Sequence, residues 1–113
     1  MNAVIHVLLI SNTLFELAVA IGSLIGGLTT TPVGVTQLVL GGNALALSLL
    51  SLLTLLATDA PDWRRGIQVF TLFHWSITAV WLIAAAGGSF NPALIAHGLF
   101  ALAFTAALLR RAA

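Results

Sequence analysis

Residues 4–27, VIHVLLISNTLFELAVAIGSLIGG, decide the fold of this chain. The stretch is apolar and longer than the roughly 20 helical residues that cross a hydrocarbon core about 30 Å thick. It nevertheless carries a carboxylate, Glu16, near its middle. A charged side chain at that depth costs about 2.5–3.5 kcal/mol on insertion scales, so it is expected to face a partner, a cavity or a ligand and not lipid. Three further apolar stretches follow, at 33–57, 66–86 and 92–109. The 113 residues are 60% hydrophobic and 6% charged, with a mean hydropathy of +1.13. No soluble core of this size could bury so much apolar surface. The expected fold is an all-α, integral membrane, four-helix up-and-down bundle, a single transmembrane domain over 1–113.

The basic residues set the orientation. All four are arginines, Arg64–Arg65 between the second and third stretches and Arg110–Arg111 at the C-terminal end. With four spans these pairs fall on one side, which the positive-inside rule makes cytoplasmic, so both termini are expected inside a bacterial inner membrane. The isoelectric point near 9.3 is then a topology signal. Four basic groups beside two interfaces make no nucleic-acid footprint, and no nucleic-acid partner is expected. Trp63 beside Arg64 reads as an interfacial anchor. The first stretch lacks a basic leader and runs too far for a cleaved signal peptide, so it is expected to remain in the mature protein. The chain has no cysteine, which excludes thiolate catalysis and iron–sulfur ligation. It has no lysine either, which excludes Schiff-base chemistry.

Short connections carry the punctuation of an up-and-down bundle. Thr31-Pro32 and Asn91-Pro92 each read as an N-cap followed by a first-turn proline, opening the second and fourth helices. Gly26-Gly27 and Gly87-Gly88 read as the ends of the first and third. The segment from Thr58 to Arg65 reads as the one charged loop, with Asp62 placed to complement the start of the third helix.

Projection at about 100° per residue sorts the helical faces. In the first helix Asn12, Glu16, Ala20 and Ser23 form a polar stripe. Ala18, Gly22 and Gly26 form a small-residue stripe about 120° away, suited to close packing on another helix of the bundle or of a second copy. Thr36, Asn43, Ser51 and Thr54 line one side of the second helix, Thr71, His74, Thr78 and Trp81 the third, and His97, Ala101, Phe104 and Thr105 the fourth.

These faces frame the candidate site. Glu16 and His74 are the candidate acid–base pair, and His97, Asn12, Asn43 and Thr78 the candidate ligand contacts, around a mostly apolar pocket near the midplane. The competing account is that the same groups bond one another and only specify helix packing. His6, near the cytoplasmic end, reads as interfacial, and Trp75 and Trp81 as packing residues. Two histidines on two helices invite a bis-imidazole haem. Counted at about 1.5 Å per residue, however, His74 and His97 differ in depth by roughly 10 Å, which disfavours it. No metal is assigned, and the cofactor is unknown.

The stretch FELAVAIGSLIGGLTTTPVGVTQLVLGGNALALSLL, with its glutamate before a glycine-rich helix end, a short turn and another apolar helix, resembles the DoxX-like superfamily of small four-helix membrane proteins. The likeness covers about a third of the chain. It differs from the family in register, because the glutamate-bearing helix comes first here. The resemblance implies the four-helix architecture, in a superfamily that includes a quinone-linked oxidoreductase subunit; fold alone does not fix activity. The residues therefore point first to a lipid-embedded protein binding a lipophilic small molecule such as a quinone, isoprenoid or sterol-like compound. The second reading is a non-catalytic accessory subunit of a larger membrane complex or homo-oligomer. The third is a small proton-coupled transporter.

Overall fold

The computed structural model describes residues 2–57 and 59–110; Thr58 of the expected loop and Arg111 of the C-terminal pair lie outside them. Among the described residues there are four α-helices and no strand: α1 (Ala3–Thr29), α2 (Val35–Leu56), α3 (Ala60–Ala86) and α4 (Ala93–Leu109). α1, α2 and the Pro61–Ala86 part of α3 are long and apolar enough to cross a membrane, while α4 is a shorter apolar helix of 17 residues. Leucine, isoleucine and valine side chains cover the exposed faces, a surface that suits lipid and would aggregate in water. The chain divides into two compact units, Met1–Ala57 and Thr58–Ala113, each a helical hairpin.

The first unit begins at Asn2, whose side chain accepts a hydrogen bond from Ile5 N at 3.1 Å and caps α1. Gly26-Gly27 does not end the helix as expected. The Thr29 hydroxyl donates to Ile25 O, and α1 runs on to Thr29. Gly27 instead marks a close approach: a Cβ there would lie 2.8 Å from the Leu38 side chain and 3.0 Å from Gly34 O. α2 likewise starts later than Thr31-Pro32 predicts, at Val35 with Gly34 in the cap position. Gly34 N donates to Gly27 O at 2.9 Å, so the residues after Pro32 serve the turn before the helix can begin.

Small residues and hydroxyls hold this hairpin together. α2 turns Gly41, Ala44, Ser48, Ser51 and Thr54 inward. Ser48 Oγ donates to Thr13 O and Ser51 Oγ to Leu9 O, both at 3.0 Å, tying two successive turns of α1 to α2. Such interhelical bonds contribute about 0.6 kcal/mol each on average in membrane proteins. Gly41 sets the helix separation, because a Cβ there would meet Leu24 Cγ at 2.7 Å and the Leu24 backbone N at 3.0 Å. Backbone cannot rotate away as a side chain can. Gly41→Val is therefore expected to cost about 1–3 kcal/mol of overpacking, measured as a lower detergent or thermal unfolding midpoint. A change below about 0.5 kcal/mol would show that the hairpin does not need this contact.

In the second unit α3 starts six residues before the expected Gly66. Asp59 takes the cap position, Pro61 sits in the first turn where its missing N–H is no loss, and Asp62 complements the helix N-terminus. The expected charged loop is thus mostly helix. Arg64 and Arg65 are exposed, while Trp63, Gly66, Ile67, Phe70, His74 and Thr78 form one buried face. Trp63 is accordingly no exposed anchor: it is 2% accessible and begins the buried face. The far end agrees with expectation. α3 stops at Ala86, Gly87 follows as the cap, and Gly88 takes φ +90, a conformation glycine adopts without Cβ strain. Asn91 Oδ1 accepts from Ala93 N at 2.8 Å, so the Asn91-Pro92 signal opens α4 one residue later than predicted.

Candidate functional site

Glu16 lies midway along α1 because the helix extends an equal distance on either side of it, from Ala3 to Thr29. It belongs to a buried face of Ile5, Leu9, Asn12, Glu16 and Ala20, spaced by threes and fours. Glu16 is 2% exposed, and one turn before it Asn12 is fully buried. Glu16 Oε1 has no hydrogen-bond partner among the described residues. A buried oxygen left without a partner is costly.

The second unit places its two expected histidines in direct contact. His74 on α3 and His97 on α4 are buried, with their Nδ1 atoms 2.9 Å apart. The depth difference of roughly 10 Å expected from the sequence does not exist. Its source is the early start of α3: six more residues at about 1.5 Å each lower the α3 end by about 9 Å, which brings His74 level with His97. A 2.9 Å contact between two nitrogens is a hydrogen bond, and ligation of one iron from opposite sides through the same atoms would need about 4 Å, twice a metal–nitrogen bond of about 2.0–2.1 Å. Those atoms therefore serve each other.

Phenylalanines enclose the pair. The His74 ring stacks on Phe100 at 5.0 Å and on Phe104 at 5.7 Å, and Phe73 meets both imidazoles edge-on, at 5.0 Å from His74 and 5.8 Å from His97. Phe70 stacks on Phe104 at 5.5 Å behind them. Thr78, one turn beyond His74, is buried and donates its hydroxyl hydrogen to His74 O at 2.6 Å. Its oxygen remains an acceptor. Phe70, Phe73 and Phe100 were not singled out from the sequence, although Phe100 and Phe104 stand one helical turn apart immediately after His97, a spacing that puts them on its face.

Other expected residues fall elsewhere. Asn43 is exposed on α2, as is Thr36, so Asn43 is not a pocket residue. The buried polar positions of α2 are Ser48, Ser51 and Thr54, and the pattern that reveals them is the run of small residues from Gly41 through Ala44 to Ser48. Ala18 and Gly22 are exposed and Gly26 is half-buried. A Cβ at Gly22 would meet nothing within 4 Å, so close packing inside the hairpin uses Gly27 and Gly41 instead of this stripe. Trp75 Nε1 donates to Thr105 Oγ1 at 2.9 Å, a packing contact between α3 and α4. His6 is exposed near the start of α1, with Nδ1 3.1 Å from Asn2 O. Comparison with protein-family models, curated proteins and solved structures returns no match to this chain.

Proposed function

We propose that this chain binds a lipophilic small molecule, of quinone, isoprenoid or sterol-like class, within the membrane and exchanges protons with it. In this reading it resides in a bacterial inner membrane with both termini on the cytoplasmic side, where Arg64, Arg65 and Arg110 meet lipid headgroups. The observation that carries the proposal is the buried His74–His97 pair in its phenylalanine enclosure. In a neutral pair joined through Nδ1, one ring donates its Nδ1–H and keeps a lone pair on Nε2. The other ring accepts at Nδ1 and keeps an Nε2–H. The two rings thus hold opposite tautomers, one basic and one acidic at Nε2, the complementary character that proton exchange with a carbonyl or hydroxyl group needs. A proton taken up at the first Nε2 allows the Nδ1 proton to cross to the second ring, which releases its own from Nε2. The aromatic faces around the pair suit a flat or branched apolar body. Glu16 takes the acid–base role in the first unit, with Asn12 on the same buried face as an orienting group.

All three tryptophans lie on α3, the helix that carries His74, so their fluorescence reports on this region. Titration of a quinone analogue into nanodiscs holding the protein is expected to give saturable quenching, weakened at least about tenfold in His97→Leu. Quenching that rises linearly and identically in both proteins would mean simple partitioning into lipid and would overturn the assignment.

A second reading, an accessory subunit docked on a larger complex, is favoured by the exposed Ala18 and Gly22 of α1 and the open space over Gly22. Gly22→Leu is then expected to release the protein from any complex isolated by gentle extraction, without altering its own stability. Unchanged association would exclude this face.

A further inference from the structure

Among the polar groups that the site leaves unused is Asn43. It lies eight residues into α2, about 12 Å along a helix about 33 Å long, a little over a third of the way across the span. Its side chain is exposed and has no hydrogen-bond partner among the described residues. A carboxamide facing hydrocarbon leaves two donors and an acceptor unsatisfied, so a polar partner at the same depth is strongly favoured.

Asn43 is also the centre of a seam. Thr36, Val39, Asn43, Ala46, Leu50 and Leu53 alternate steps of three and four, the a and d positions of a heptad repeat, and all six are exposed. A period of 3.5 keeps such a seam in line along two helices that cross at a shallow left-handed angle. Ala46, the next seam position after Asn43, lets the helices approach at the crossing. The inward face of α2, with Ser48 and Ser51, is already committed to α1, leaving the seam as a separate surface.

We propose that this seam joins two copies of the chain in a parallel dimer, with Asn43 of each copy hydrogen-bonded to Asn43 of the other. A carboxamide is its own complement, because it both donates and accepts. A two-fold axis sets each residue opposite itself. Two copies inserted with the same topology carry Asn43 at the same depth by construction, whereas a different protein would need a matching polar group at that level. A single asparagine at an a position is the device by which paired helices fix register and copy number.

The chain has no cysteine, so single-cysteine variants can be cross-linked oxidatively in native membranes without background. Leu50→Cys and Leu53→Cys are expected to give a product of twice the chain mass, and Ala44→Cys, on the face turned to α1, to give none. Adding Asn43→Leu should lower the dimerisation constant about 3- to 20-fold, while Asn43→Gln retains dimerisation. Asn43→Leu replaces a polar group by an apolar one at an exposed position, so failure to insert does not confound the result. Equal cross-linking from Ala44→Cys, dimers indifferent to Asn43→Leu, or cross-links only to another protein would each overturn the proposal. None of these outcomes depends on the ligand reading.

Discussion

Glu16→Gln is expected to abolish ligand retention while the protein still inserts and packs. Glutamine matches the glutamate in size and shape, so the buried face of Ile5, Leu9, Asn12 and Ala20 keeps its packing. What disappears is the group that can take up and release a proton. If the protein catalyses proton transfer to its ligand, turnover should fall about 10²- to 10⁴-fold, the usual contribution of a positioned acid or base. If it only binds, affinity should fall at least about tenfold. Circular dichroism and membrane partitioning of the variant are expected to match the parent protein. Normal binding and turnover in a well-folded Glu16→Gln protein would reduce Glu16 to a packing residue.

The second large effect is expected at the imidazole pair, where single and double substitutions should not add. His74→Leu leaves His97 Nδ1 buried without the nitrogen 2.9 Å away that it now bonds, and His97→Leu does the same to His74. Each single change is expected to cost about 1–3 kcal/mol, the penalty for stranding a buried polar group. The double variant sets leucine against leucine among Phe73, Phe100 and Phe104, an environment leucine suits. It should lose less than the sum of the singles, with a coupling of about 0.5–3 kcal/mol read from unfolding midpoints. Ligand binding is expected to be lost in all three. Strict additivity would mean that the two rings do not act as a unit.

Much of this was legible in the sequence, and the failures have physical causes. The α1 stripe of Asn12, Glu16 and Ala20 is buried as the 3.6-residue period requires, because one carboxylate in an apolar span leaves few choices of face. His74 and His97 were identified by type and face but misplaced in depth. Arg64 and Arg65 suggested a loop where Trp63, Ile67 and Phe70 were already marking a buried helical face. Two charges on the outward side of a helix look, one residue at a time, like solvent-exposed coil. Asn43 failed for a related reason. Polarity alone suggests the pocket for it, whereas small size decides the inward face of α2, on which Ser48 stands one turn past Ala44. The phenylalanine enclosure was visible only in part, since a phenylalanine in a membrane helix suits lipid as well as a binding site.

Native mass spectrometry of the protein extracted gently from its own membrane tests the central claim most directly, because it weighs chain and bound molecules together. The account predicts an added mass of about a few hundred daltons, the size of a small lipophilic compound that pockets of this kind enclose, retained by the parent protein and lost from Glu16→Gln and from His97→Leu. A chain that carries no small molecule in any form, or carries the same one equally in all three, would contradict it.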